Sequence, residues 1–450
     1  MKSALPTTIF MGVVAAIAAV AAAYWYPKIS EVVVDAKVNQ NLFETYETGD
    51  VRTISITQFN NDSNRMERFS LRRKGERWVI PSAGDFPATR ISRIGEVAKS
   101  LLDRKVLALV TDEEQGHVEF GVVDPVESAD SPNRSSLGMR IDLVDRNRSD
   151  LASLIIGNEV EDRGSDSVRR YYVRVPGQPA VYELEIPRTL FRTRFEDWVD
   201  PNLMELPPPN ASEVTVLGLT VEQYRLDPEN LGTSERENVY RFQFDFLPAG
   251  KGVEAFVFES WEEDEFKALE LSQTQKEQVS TALRAMGNLR YVDVIGKPKE
   301  VAAALRSPGT KLSQTAMEPL QQFGFRVDGD GQLESANGQI KVVTSDGVVV
   351  RLLIGSLAQG ADTENLDLHF HGMLVAGIDD SVFAEDELEK PEGVAPDSAE
   401  NKAYLRAKQE LERKRSSAAL RIKELNRNWS KWIYVIPETT INAIRPDVTL

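Results

Sequence analysis

Two apolar runs, Leu154-Ile155-Ile156-Gly157-Asn158 and Leu352-Leu353-Ile354-Gly355-Ser356, carry the same pattern in the two halves of the chain, and each ends a hairpin. A second pair follows in the same order. Val181-Tyr182 with Ile186-Pro187 matches Ile433-Tyr434 with Ile436-Pro437, and each leads into a short helical stretch. Phe323-Gly324-Phe325 also resembles Phe120-Gly121-Val122. Matching motifs in one order, with similar elements between them, lead us to expect one string of elements built twice, an internal duplication. Two unrelated α+β domains are the competing reading.

Periodicity supplies the elements. In the first copy, residues 53–59 alternate with period two and read as a strand. Residues 69–73 and 78–80 flank Lys74-Gly75-Glu76-Arg77 as a hairpin, which Pro81 ends because it lacks the N–H a ladder needs. Ile91, Ile94, Val97, Ala98, Leu101 and Leu102 space out one helix face. Strands are expected at 106–110, 139–144 and 154–157, a hairpin over 170–175 and 181–186, and a short helix over 188–198. The second copy is expected to place strands at 214–219, 239–247, 253–259, 289–295, 340–343 and 348–354, with a helix over 275–286. Pro207-Pro208-Pro209 is a stiff spacer between the copies.

An insertion over 377–431 breaks the symmetry. It opens with an acidic loop holding Pro391, Gly393 and Pro396. Asp397-Ser398-Ala399-Glu400 then fits a capping box with Asp397 as the cap, and a helix is expected to about residue 428. Tyr404, Ala407, Leu411, Ala418, Ile422 and Leu425 fall near one stripe. That stripe suits either an arm docking on a partner or a helix packed on its own domain.

Residues 9–26 form an apolar run closed by Tyr24-Trp25-Tyr26, and no charge falls between Lys2 and Lys28. About 20 apolar residues in a helix span a bilayer core. A cleavable signal peptide is the rival reading, given Ala21-Ala22-Ala23. The aromatic cluster suits an interfacial belt and favours retention. The expected plan is a cytoplasmic start at 1–6, a transmembrane anchor at 7–26 and a tether at 27–48. A first module at 49–206, a linker at 207–213 and a second module at 214–450 follow. The expected fold class is therefore α+β: a single transmembrane helix, then two related extracytoplasmic modules with mostly antiparallel sheets. Localisation follows as the bacterial cytoplasmic membrane, single-pass, N-terminus inside.

Composition narrows the function. The 450 residues carry a net charge of −17, which argues against nucleic acid as a partner. With no cysteine, the chain has no disulfide, no thiolate metal site and no cysteine nucleophile. Gly296-Lys297-Pro298 has the lysine of a phosphate-binding loop but neither its spacing nor its hydroxyl. His369-Phe370-His371 puts two imidazoles on one strand face, with Asp362, Glu364 and Asp367 nearby, but an edge strand explains them more simply. Asp328-Gly329-Asp330-Gly331 fails the ligand spacing of a calcium loop and reads as a turn. His117 reads as exposed, the run from Glu262 to Glu265 as a solvated face, and Trp78, Trp198 and Trp432 as core anchors. No catalytic residue, no cofactor site and no metal site is therefore expected.

One ordered pattern carries a family resemblance: Phe69 to Leu71, Trp78-Val79-Ile80-Pro81, Phe86-Pro87-Ala88, the amphipathic helix and Phe120-Gly121-Val122-Val123-Asp124-Pro125. It resembles the bacterial family of uncharacterised proteins with a DUF4340 domain, most clearly over 68–206, with the second half a more diverged copy. The family has no established activity. Its members resemble membrane-anchored auxiliaries of gliding-motility-type ABC transport systems, which implies ABC transporter permease subunits as partners. A non-enzymatic accessory protein is thus the leading expectation. A ligand-binding or scaffolding module with a cleft between the repeats comes second, and an exported hydrolase third.

Overall fold

The computed structural model describes residues 37–129, 133–165, 168–204, 216–226, 234–247, 250–260, 265–306, 312–328, 331–358, 368–383 and 398–446. The apolar run 9–26, the spacer 207–209, the run 262–264 and the loop 384–397 lie outside these residues. None of the described helices is long and apolar enough to cross a membrane.

The first half forms a mixed sheet-and-helix layer. Its strands are β1 (Thr53–Asn60), β2 (Arg65–Lys74), β3 (Arg77–Ile80), β4 (Phe86–Pro87), β5 (Ala108–Thr111), β6 (Met139–Val144), β7 (Asp150–Ser165), β8 (Val168–Arg174) and β9 (Val181–Ile186). They pair in the order β4-β3-β2-β1-β6-β7-β8-β9-β5. The second half contributes β10 (Val216–Leu226), β11 (Ser234–Leu247), β12 (Gly250–Ser260), β13 (Glu265–Leu269), β14 (Asp293–Gly296), β15 (Phe325–Val327), β16 (Leu333–Ser335), β17 (Gln339–Thr344), β18 (Val348–Ala358), β19 (His369–Ile378) and β20 (Trp432–Pro437). Its large sheet runs β13-β12-β11-β10-β17-β18-β19-β20-β14, the same order place for place, while β15 and β16 form a separate pair. The architecture is α+β with mostly antiparallel sheets.

In each sheet the chain must carry a strand from one edge to the other. The helix Ile91–Ser100 makes that crossing between β4 and β5, and Gln273–Met286 makes it between β13 and β14. Ile94, Val97 and Ala98 bury the first helix against its sheet, and Val279, Ala282 and Met286 bury the second. Ser272 starts the second helix with a full capping box to Gln275, which satisfies two backbone donors.

The repeated apolar runs meet the same local demand. Gly121 and Gly324 both take a left-handed backbone, at φ 67° and 79°. The carbonyls of the preceding Phe120 and Phe323 then accept from the N–H of Asn158 at 3.0 Å and of Ser356 at 2.9 Å. A Cβ at Gly157 or Gly355 would collide with those same carbonyls. The register of β7 shifts just after Ile156, and that of β18 just after Ile354, so both strands bulge at this contact.

Several expectations needed correction. The tether expected at 27–48 is packed over its described part. Val38 and Asn41 bridge Val106 and Lys105, the N–H of Leu42 donates to the Arg104 carbonyl at 2.8 Å, and Tyr46 is buried. Asn202 and Leu203 make similar contacts with the second half, bridging Arg290 and donating to the Leu289 carbonyl at 2.8 Å. The short helix expected over 188–198 is two 3-10 turns, Arg188–Leu190 and Phe195–Asp197. The Trp198 indole takes the Arg192 carbonyl at 3.1 Å, an acceptor an α-helix would need. The cap of the insertion helix is Ser398, accepting from the Asn401 N–H at 3.1 Å, one residue later than expected. Helices Lys299–Ala304 and Gln314–Gln321 were not foreseen.

Where β8 and β9 are joined by a tight turn at Gly177, β19 and β20 are joined by a segment that includes the helix Ala399–Trp429. One hydrophobic core runs through both modules. A smaller cluster lies under Lys299–Ala304 and Gln314–Gln321, against Leu353, Met373 and Ile433. At the corresponding places the first module has only a patch around Ile155 and Val181.

The bulge geometry predicts that Gly157→Ala and Gly355→Ala each lose about 1–3 kcal/mol, because a backbone carbonyl cannot step aside as a side-chain tip can. Gly95→Ala, in open space on a helix, should be neutral or gain up to about 1 kcal/mol. Urea denaturation of the three variants checks both.

Candidate functional site

The first sheet carries a polar groove of about 930 Å³. Gln58, Glu67, Met139 and Tyr171, from β1, β2, β6 and β8, form its floor, and residues 188–197 form one wall. Pro187 ends β9 and turns the chain back over the sheet. Two aromatic side chains then pin the wall. Phe191 is buried, and Trp198 stacks on Phe69 at 5.4 Å between ring centres. Arg93 reaches up from the crossover helix. Its guanidinium lies 5.5 Å from the Trp198 ring centre and 3.8 Å from the Asp197 carboxylate, and it donates weakly to the Thr189 and Leu190 carbonyls at 3.4 Å.

Glu67 is the chemical centre of the groove. It lies directly across from Gln58 in the β1–β2 ladder. The Gln58 amide donates to its carboxylate at 2.9 Å and to Thr193 Oγ1 at 3.0 Å. Asn60 and the Thr193 hydroxyl donate to the same carboxylate. Burial alone would raise the Glu67 pKa. The hydrogen bonds from Thr193, Asn60 and Gln58, aided by Arg194, outweigh that and hold it below the usual carboxylate range. Three donors thus engage the Glu67 carboxylate. Arg188, Arg192 and Arg194 alternate with Asp62, Glu196 and Asp197 around the groove, so it offers donors and acceptors without one dominant sign.

The other candidates scatter. His371 is buried, with Nδ1 3.0 Å from the Ser356 carbonyl and its ring edge-on to Phe323. Burial pushes its pKa down, against an upward pull from that carbonyl. Asp362, Glu364 and Asp367 lie outside the described residues, and no cluster of three metal-ligating side chains occurs among the described ones. His117 Nε2 sits 2.8 Å from the Pro179 carbonyl. Asp328 closes a turn by accepting from the Gln332 N–H at 2.8 Å.

Lys297 is buried, and its ammonium donates to the Trp429 carbonyl at 3.3 Å, in the last turn of the insertion helix. Burial pushes its pKa down to about 7. The sequence marks Lys297 only as the lysine of an incomplete phosphate-binding loop, not as a buried base at a helix end, and it does not mark the Glu67 network. The only trace was Gln58 and Glu67 flanking the polar turn 60–64, and their pairing depends on the register of that hairpin.

The model of a domain of unknown function, DUF4340, matches residues 78–308, just over half of the chain. The chain belongs to the DUF4340 family. The matched stretch runs from β3 past the helix Lys299–Ala304, so it crosses from the first module into the second. No curated protein and no solved structure matches the chain. The groove lies in the N-terminal module of this DUF4340 protein, and residues 93–197 of its lining fall inside the matched stretch.

Two pH dependences follow. Glu67 is depressed, so its contribution to stability is present above about pH 4.5 and is lost as pH falls through its lower folded value. Glu67→Gln should be less stable than wild type at pH 7, with the gap closing in acid melts. Lys297 behaves oppositely. From about pH 7 up to 10.5 the unfolded chain binds a proton that the folded chain has released, so stability rises with pH across that window. Lys297→Met should raise the melting temperature most below pH 7, and the gain should shrink towards pH 10.

Proposed function

We propose that this DUF4340 protein is a non-enzymatic interaction module, held outside a bacterial cytoplasmic membrane by residues 7–26, that serves an ABC-2-type transport system. The observation that carries this reading is the seam between the halves. Phe86 lies 5.0 Å from Trp432 and 6.1 Å from Tyr291, Phe195 lies 6.0 Å from Tyr291, and Tyr291 lies 5.2 Å from Tyr434, all between ring centres. The Tyr291 hydroxyl donates to the Asp200 carbonyl at 3.1 Å. Such packing suits a double platform that presents surface to partners. The shared strand order and the paired Phe-Gly contacts support the reading of one module duplicated. The place at the membrane rests on the apolar run in the sequence, and the permease partner on the family resemblance.

The groove favours a second reading, a binding module for a polar envelope ligand such as a polysaccharide or peptide. Its contacts would be made on the first module, because aromatic rings fill the seam between the copies.

Tagged full-length protein, isolated from detergent-solubilised membranes of its host, should enrich ABC permease and ATPase subunits. Deletion of residues 7–26 should abolish that enrichment. Wild type that enriches no transporter subunit beyond an unrelated membrane protein overturns the proposal.

A further inference from the structure

The insertion helix Ala399–Trp429 is fully buried only towards its C-terminal end, while Leu411 packs on the core partly exposed. Ala418, Ile422, Asn426 and Trp429 are buried in its C-terminal part. The Asn426 side chain clamps it to β19 by accepting from the Ala376 N–H at 2.8 Å and donating to the Ala376 carbonyl at 2.9 Å. At 1.5 Å per residue the helix is about 46 Å long, against about 34 Å for the ten residues of β19. The helix carries nine Lys and Arg against four Glu, in a chain of net charge −17.

The basic side chains fall into two sets. Those on the flank turn back to the protein's own sheet: Arg421 pairs with Asp346 in the β17–β18 turn, and Arg415 with Asp380. On the face opposite the buried stripe, Arg413 pairs with Glu410 of the same helix, and four other bases make no such contact among the described residues. Lys402, Arg406, Lys423 and Arg427 are exposed there and make no ion pair among the described residues. Leu405 and Leu420 lie on the same face, 47% and 70% exposed. The spacing keeps the six side chains on one stripe along the whole helix.

We infer that this outward stripe docks on an anionic lipid surface. Unpaired bases attract acidic headgroups, and two exposed leucines on the same face can enter the headgroup region beside them. The chain as a whole carries a net charge of −17, so a stripe of bases on one helix gives such a surface an attractive face in an otherwise acidic protein, and the contact also orients the molecule. The inference rests on the proposed place of the chain at a membrane, but on neither the permease nor the groove.

The full chain contains no cysteine, so one label can be placed without background. Ser416, exposed on the same helix, is the site: Ser416→Cys carrying a polarity-sensitive fluorophore, reconstituted into vesicles. Emission should shift to the blue with phosphatidylglycerol in the bilayer and stay unshifted with phosphatidylcholine alone. The shift should vanish at high salt, because screening weakens exposed charge attraction. It should also vanish when Lys402, Arg406, Lys423 and Arg427 are all changed to Glu, with circular dichroism and melting temperature unchanged. Equal emission in the two lipids, or a shift that survives charge reversal, overturns the inference. So does a shift that appears only when purified transporter subunits are added, which would assign the stripe to a protein partner. The vesicles contain no transporter, so failure here is separable from failure to enrich permease subunits.

Discussion

Phe86, Phe195, Tyr291, Trp432 and Tyr434 form the contact on which the rest of this molecule leans. Phe86 comes from the edge strand of the first sheet, and Trp432 and Tyr434 come from the strand next to the facing edge of the second. Packed edge-on, the rings bury large apolar area while covering a sheet edge that would otherwise be open to pairing. Phe195 takes part in the seam and also sits in the segment that walls the groove, 5.4 Å from Phe86 between ring centres. The junction of the modules and the wall of the groove therefore share one segment.

The two modules use one plan and then diverge where it is cheapest. The plan is held by contacts that tolerate little change, such as the Phe carbonyl set against a glycine in each central strand. Divergence is confined to connections. The β8–β9 turn becomes a long helix in the second copy, and the 3-10 turns after β9 become the helix Glu438–Ala443 after β20. The second copy also covers its far face with two helices, over Leu353 and Ile433, where the first leaves Ile155 and Val181 with a few neighbours. The groove belongs to the first copy, where the wall after Pro187 is two short 3-10 turns held between two aromatic pins.

Much of the fold was legible because periodicity and glycine placement are local signals. The hairpins over β2–β3, β8–β9 and β17–β18, both crossover helices and the bracketed insertion all announce themselves within a dozen residues. Boundaries were less legible. Residues 38–42 read as tether and 200–203 as the end of the first module, yet each pairs with the strand or lead-in of the module that follows, a contact made across many intervening residues. The groove was nearly invisible. Glu67 and Thr193 are distant in the chain, and a carboxylate engaged by neutral amides and a hydroxyl leaves no motif.

The sequence by itself determined most of the strands and both crossover helices, the repetition of their order, the absence of thiol chemistry and the basic character of the insertion helix. These follow from composition and from spacing along a strand or helix. Only the tertiary structure decided which sheet edges meet, which polar side chains surround Glu67, that Lys297 is buried at a helix end, and which face of the insertion helix is left outside. Alternation and helical spacing tell which residues share a face. What that face meets depends on long-range pairings, whose closure no local pattern records.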